Sequence, residues 1–148
     1  LSWGRRRRMI DFEDPTPIAT PEEFRKALLA VRDSGKGIYD HKELPMIEAQ
    51  YYSPKHTINT TQLAEKVGFT GYSEANLNYG ILAHRIADEL KYVPGSPNPN
   101  CDHWWRTLSY GKTPDQNEEI QFYKWVMRPE LVQALEKMGW VKKNSDLS

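Results

Sequence analysis

The chain has little of three things that would narrow its class: cysteine, net charge and long apolar runs. Its 148 residues contain one cysteine, Cys101, which excludes an internal disulfide bond and fits a reducing cytoplasm. No apolar run approaches the roughly 20 residues that a membrane-spanning helix needs. No apolar stretch follows the basic start, so we expect no secretory signal. These absences predict a cytoplasmic protein with one main domain and no membrane segment.

The net charge is zero, with twenty basic and twenty acidic side chains. A dedicated DNA-binding protein is usually basic, because neutralising phosphates supplies most of its non-specific affinity. The balance therefore counts against nucleic acid unless the charges are segregated. Arg5 to Arg8 is wholly basic, Asp11 to Glu23 is wholly acidic, and Gln121 to Lys143 leans basic. Since the acidic stretch could also neutralise the arginine run, charge alone leaves both alternatives open.

Motifs for catalysis or cofactor binding are missing as well. Cys101-Asp102-His103 offers metal ligands, with His84 or His56 as further candidates, but the CxxC or HxxxH pairs common in structural zinc sites do not occur. The sequence contains no GxxxxGK[ST] or GxGxxG loop for phosphates and no recognisable oxyanion-forming turn. We therefore predict no metal, no cofactor and no enzymatic activity.

Residues 1–20 are predicted to form a flexible arm, since a run of like charges is followed by Pro15 and Pro17 without any periodicity. Such an arm can lie along phosphates or enter a minor groove. A helix then begins with Thr20 as its cap, Pro21 in its first turn and Glu23 in a capping box. Its apolar stripe consists of Phe24, Ala27, Leu28 and Val31.

Two helices joined by a tight turn are predicted further along the chain. They are preceded by a helix over Lys42 to Tyr52, with Leu44, Ile47 and Tyr51 on one face, and by a short strand at Thr57-Ile58. The first of the two is capped by Asn59, has Gln62 at the capping-box position and ends at Gly68. After the turn Phe69 to Tyr72, Ser73 is predicted to cap a longer helix that runs to about Leu90.

An aromatic-rich hairpin and a last helix follow. Two segments are predicted to be strands, Trp104 to Tyr110 and Ile120 to Met127. The polar loop between them, Gly111 to Glu119, is long enough to be a wing. The last helix starts at Pro129. This order predicts an α+β fold, a winged helix-turn-helix-like domain over residues 21–143 with an extra N-terminal helix, a basic arm and a frayed tail at 144–148.

The long helix has two different sides. Its predicted buried stripe consists of Ala75, Tyr79, Leu82, Ala83, Ile86 and Leu90. Polar positions elsewhere on it are candidate DNA contacts, because asparagine bonds adenine bidentately and cations bind phosphates; they are Ser73, Asn76, Asn78, His84 and Arg85. Leu77 and Ile81, however, also point away from this stripe, beside the acidic Glu74 and Asp88. The alternative is that this side packs on the N-terminal helix or on a partner chain.

The hairpin combines basic and aromatic residues. Its aromatic side chains are more than one hairpin face can bury: Trp104, Trp105, Tyr110, Phe122, Tyr123 and Trp125. They fill the core, or some of them form a platform for bases or a protein interface. Further candidate nucleic-acid contacts lie among them and on the wing: Arg106, Lys112, Lys124 and Arg128.

Three segments resemble a small domain that accompanies HNH nuclease domains in some bacterial restriction-type proteins. They are Thr60 with Gln62-Leu63-Ala64, then Asn76-Leu77-Asn78-Tyr79-Gly80, and then Met127-Arg128-Pro129 with Ala134-Leu135 and Gly139-Trp140. The resemblance covers about residues 58–141 with a gap. It implies a DNA-recognition accessory to a nuclease. The chain lacks the HNH metal-binding motif itself, so the resemblance does not extend to DNA cleavage.

Two functions are therefore expected as alternatives. The first is non-catalytic binding of double-stranded DNA, with Arg5, Arg6, Arg7 and Arg8 supplying a salt-dependent contact. The second is a protein-interaction module, either a homodimer or an adaptor or inhibitor in phage defence, with Leu77 and Ile81 at the interface. Neither involves a membrane.

Overall fold

The computed structural model describes residues 13–34, 42–94, 103–113 and 124–143. These residues form an α+β fold of five α-helices and a small three-stranded antiparallel sheet. The helices are α1 (Pro21–Asp33), α2 (Glu43–Tyr51), α3 (Thr60–Val67), α4 (Tyr72–Leu90) and α5 (Pro129–Met138). The strands are β1 (Thr57–Ile58), β2 (Ser109–Lys112) and β3 (Lys124–Met127), and two short 3-10 helices cover Pro54–His56 and Trp104–Thr107. No helix in these ranges is long and apolar enough to cross a membrane.

The predicted start and stripe of α1 are confirmed. The Thr20 hydroxyl accepts a hydrogen bond from the backbone N–H of Glu23 (3.1 Å), and the Glu23 carboxylate accepts one from the N–H of Thr20 (2.8 Å). Such reciprocal bonds satisfy donors that have no partner within the helix. The four stripe residues are buried, as predicted: Phe24, Ala27, Leu28 and Val31. In α2, by contrast, Leu44 is 42% exposed and does not belong to the buried face, which Met46 and Ile47 supply.

Helices α3 and α4 form the predicted helix pair. Asn59 and Gln62 make a second capping box, and Gly68 ends α3 with a φ of +90°, a value that favours glycine. Helix α4 begins at Tyr72 with Gly71 as its N-cap, so the prediction that Ser73 caps it is wrong. The Glu74 side chain instead closes the turn, since its carboxylate accepts a hydrogen bond from the N–H of Thr70 (2.7 Å).

The sheet has the order β1-β3-β2, with β3 in the centre and all pairs antiparallel. The predicted strand from Trp104 is wrong in its first half, because Trp104–Thr107 form a 3-10 helix. An extended strand would send Trp104 and Trp105 to opposite faces. In the 3-10 helix, Trp104 instead stacks on His84 of α4 (3.8 Å between ring centroids), and Trp105 lies 6.1 Å from the ring of Trp125.

The core lies between α4, the inner face of the sheet and the other helices. All of the predicted α4 stripe is buried except Leu90, which is half-buried. The Tyr79 ring stacks on Trp125 of the central strand at 4.1 Å, and its hydroxyl donates to Gln50 Oε1 (2.7 Å). The amide of Gln50 in turn donates to Ser109 Oγ (2.9 Å) and to the carbonyl of Trp125 (3.1 Å). This buried network connects α2, α4 and two strands.

The buried phenol of Tyr79 makes the free energy of unfolding depend on pH in the alkaline range. Burial raises the pKa of Tyr79 well above its usual value, although hydrogen bonds to Ser109 and Gln50 partly oppose this. Below about pH 10 the phenol is neutral in both states, and its contribution is complete. Above that pH only the unfolded chain ionises, so this group lowers the free energy of unfolding by about 1.4 kcal/mol per pH unit. We expect Tyr79→Phe to be less stable than the wild type at neutral pH and to lose less stability as the pH rises above about 10.

Urea denaturation at about pH 7, 9 and 10.5 measures this effect. The matched control is Tyr72→Phe, at a tyrosine that is 53% exposed, and its pH profile should follow the wild type. Parallel profiles for the wild type and Tyr79→Phe would contradict the prediction.

Candidate nucleic-acid interface

The N-terminal half of α4 has one solvent-exposed side, which we call the helix face: Tyr72, Ser73, Asn76 and Leu77. Residues three and four apart are neighbours on a helix, so Asn76 lies beside both Ser73 and Tyr72 on this face. Leu77 is 60% exposed and Tyr72 is 53% exposed. The structure thus brings together two predicted DNA contacts, Ser73 and Asn76, and one predicted interface residue, Leu77. It adds Tyr72, which is predicted to lie in the preceding turn but is the first residue of α4.

Asn78 does not belong to this face, and its prediction as a DNA contact is wrong. Its side chain is 2% exposed, and its amide donates to the carbonyl of Glu74 (2.9 Å). The cause is helical geometry, because position 78 lies three residues after Ala75 and four before Leu82, both of which are buried. The spacing by itself indicates burial, although an asparagine side chain is more typical of an exposed position.

The C-terminal half of α4 is covered by the Trp104–Thr107 3-10 helix. His84 is exposed at one edge, but its ring is stacked on Trp104 with an interplanar angle of 6°, and its Nε2 lies 3.6 Å from Asp88 Oδ1. Arg85 is half-buried, and its Nη1 is buried without a hydrogen-bond partner. Ile81 packs against the core, which corrects its prediction as an outward interface residue. Of the two predicted interface residues, Leu77 alone is exposed.

Two lysines face each other across the hairpin. Lys112 of β2 and Lys124 of β3 are direct partners in the antiparallel register, as are Tyr110 and Val126 two residues away. The alternating burial of the strands puts all four side chains on the outer face of the sheet. Cβ atoms of directly opposite residues lie about 5 Å apart, and like charges in that position are destabilising.

Arg128 does not contact solvent, so its prediction as a phosphate contact is wrong. The side chain is 1% exposed, its Nε donates to the carbonyl of Arg106 (2.9 Å) and its Nη1 donates to the carbonyl of Thr16 (3.0 Å). Burial is the largest influence on its pKa and lowers it from the ordinary value of arginine. The guanidinium is held inside because it supplies hydrogen bonds to these two carbonyls. Arg106 itself is half-buried.

The segment Glu13 to Thr20, predicted as part of the flexible arm, contacts the domain. Ala19 is buried, and Thr113 at the end of β2 donates its hydroxyl hydrogen bond to the carboxylate of Glu13 (2.9 Å). The segment therefore runs past the loop end of β2. Residues 1–12, which include Arg5 to Arg8, lie outside the described residues, as do the predicted tail at 144–148 and most of the predicted wing loop.

An apolar groove of about 470 Å³ lies between α1, α2 and the end of α5. Leu28, Ile47 and Trp140 are among its lining residues, and Glu43 at its edge has a buried Oε2 without a hydrogen-bond partner. Residues 35–41, which connect the two helices beside this groove, lie outside the described residues, so we assign no ligand to it. Among the described residues, no three His, Cys, Asp or Glu side chains are grouped so that they could hold a metal, and Cys101 lies outside that part of the chain.

Comparison with known proteins provides no relative for this chain. No family model matches it, and no curated protein or solved structure is similar enough to count as a match.

Proposed function

We propose that the chain is a winged helix-turn-helix module that binds double-stranded DNA and has no catalytic activity of its own. The observation that carries the proposal is the order of elements: a helix, a short strand, two helices joined by a tight turn, and a hairpin whose second strand pairs with the first strand of the sheet. In a winged helix-turn-helix the second helix of the pair enters the major groove. Here that helix is α4.

The composition of the helix face supports this role for α4. Asn76 can bond adenine, and the hydroxyl of Ser73 can bond any of the four bases. The contacts of this helix are accordingly Ser73 and Asn76, without the buried Asn78.

The lysine pair supports contact with the DNA backbone beside the groove. Lys112 and Lys124 would bind phosphates from the loop end of the hairpin strands. The N-terminal segment passes the same hairpin, since Glu13 is bonded to Thr113.

Binding to a labelled random-sequence duplex at about 50 and 200 mM salt tests the proposal, because phosphate contacts make affinity fall steeply with salt. We expect Lys112→Gln to weaken binding to all sequences alike and to reduce the slope of log affinity against log salt by about 1, with a similar effect for Lys124→Gln. The matched control is Lys26→Gln, an exposed lysine on α1. Equal slopes of log affinity against log salt for the Lys112 variant and the control would show that the hairpin does not contact the DNA. Absence of binding at the lower salt concentration would refute the proposed function.

A protein-interaction module is the second candidate. One observation favours it: Leu77 and Tyr72 are two large apolar side chains, both more than half exposed, on the same helix. The zero net charge is also ordinary for such a module. Because Ile81 packs against the core, Leu77 is the residue at which an interface on this helix would be tested.

A further inference from the structure

The helix face combines two kinds of chemistry in adjacent positions. Asn76 offers an amide, with one acceptor and two donor hydrogens, and Leu77 offers an isobutyl group that is 60% exposed. The major groove of DNA contains one common apolar group, the C5 methyl of thymine, which lies next to the O4 acceptor. The adenine paired with it presents an N7 acceptor and an N6 donor, which match the amide of asparagine.

We propose that Asn76 and Leu77 read A·T base pairs, with the amide on the adenine edge and the isobutyl group on the thymine methyl. This inference rests on the proposed DNA-binding function and specifies which bases α4 recognises. The C5 methyl is shared by thymine and 5-methylcytosine. Thymine is the one assigned, because guanine presents only acceptors in the major groove and cannot donate to Asn76 Oδ1.

The acidic residues near the helix face do not oppose this assignment. Glu74 precedes Asn76 by two positions, but its carboxylate is turned back to accept a hydrogen bond from the N–H of Thr70 at 2.7 Å. Asp88 is three turns further along the helix, with its Oδ1 3.6 Å from His84 Nε2. The helix face therefore consists of a phenol, a hydroxyl, an amide and an aliphatic side chain.

Four synthetic duplexes of about 20 base pairs, two helical turns, test the inference. Alternating dA-dT and alternating dA-dU differ only in the C5 methyl, and alternating dG-dC with and without 5-methylcytosine provides the same difference on a G·C background. All four carry the same phosphate charge. We expect the wild type to bind the dA-dT duplex about fourfold more tightly than the dA-dU duplex, the value of one buried methyl group. Methylation of the dG-dC duplex should change its affinity little.

Substitutions assign the preference to the two side chains. Leu77→Ala should bind the dA-dT and dA-dU duplexes equally, and Asn76→Ala should weaken binding to both by about tenfold relative to the dG-dC duplex. The matched control is Leu44→Ala, an exposed leucine on α2, which should keep the wild-type ratio. Circular dichroism verifies that each variant is folded.

The outcomes separate this inference from the proposed function. Equal binding of all four duplexes by the wild type leaves DNA binding intact and overturns base reading by these residues. A gain from 5-methylcytosine as large as that from thymine overturns the assignment to A·T pairs. If no duplex is bound and Leu77→Ala instead dissociates a dimer in analytical ultracentrifugation, both proposals fail in favour of a protein interface.

Discussion

Trp125→Ala is expected to lower the free energy of unfolding by about 3–5 kcal/mol, the largest effect of any substitution considered for this chain. Trp125 lies on the central strand of the sheet and is 4% exposed. Its ring stacks on Tyr79 at 4.1 Å and lies 6.1 Å from the ring of Trp105. Removing it leaves a cavity between the sheet and α4 that neighbouring side chains cannot fill, and the melting temperature should fall by about 10 °C or more.

Trp104→Ala provides the matched control, since the chemical change is the same at a half-buried tryptophan that stacks on the exposed His84. We expect this variant to lose about 1–2 kcal/mol. Urea denaturation of the three proteins under identical conditions measures both losses. Similar losses at the two positions would mean that the core is not centred on β3.

Arg128→Ala is expected to cost about 3 kcal/mol, the second largest effect. The side chain is 1% exposed and donates hydrogen bonds to the carbonyls of Arg106 and Thr16. A charge-assisted hydrogen bond contributes about 1.5–3 kcal/mol, and its loss leaves a carbonyl without its donor. The charge that disappears was itself costly to bury, as the lowered pKa of Arg128 indicates, and this partly offsets the loss. Arg128→Lys should lose most of the same stability, because an ammonium group cannot reproduce the fork of the guanidinium.

Two measurements identify the cause of that loss. Hydrogen exchange of residues 13–20 should accelerate in Arg128→Ala, because Thr16 is released from the domain. Arg106→Ala deletes a guanidinium but keeps the backbone carbonyl that Arg128 binds, so it should retain the protection of this segment. Exchange of residues 13–20 at the wild-type rate in Arg128→Ala would contradict the structural role.

The local elements were predictable because their causes are local. The capping boxes of Thr20 with Glu23 and of Asn59 with Gln62 span three residues each, and both form as predicted. The end of α3 requires a residue with a positive φ, and glycine adopts such a φ without strain, so Gly68 alone predicts this end. The apolar stripe of α1 follows from spacings of three and four residues.

The site residues were predicted less well. Ser73, Asn76 and Leu77 are exposed, as an interface requires, and Lys112 and Lys124 are brought opposite each other. Asn78 is wrongly predicted as a contact, because asparagine is typical of exposed positions although its spacing from Ala75 and Leu82 indicates burial. The sequence contains no signal that Trp104–Thr107 forms a 3-10 helix, since its aromatic residues are typical of a strand.

The sequence by itself determined the capping boxes that begin α1 and α3, the glycine that ends α3 and the apolar stripe of α1, because these depend on neighbours within about one helical turn. Only the tertiary structure decided which polar side chains remain available to a ligand. Arg128 and Thr16 are 112 residues apart, yet their hydrogen bond buries a guanidinium that the sequence alone presents as a surface cation. Burial depends on what packs opposite a side chain, and distant segments of the chain supply that packing.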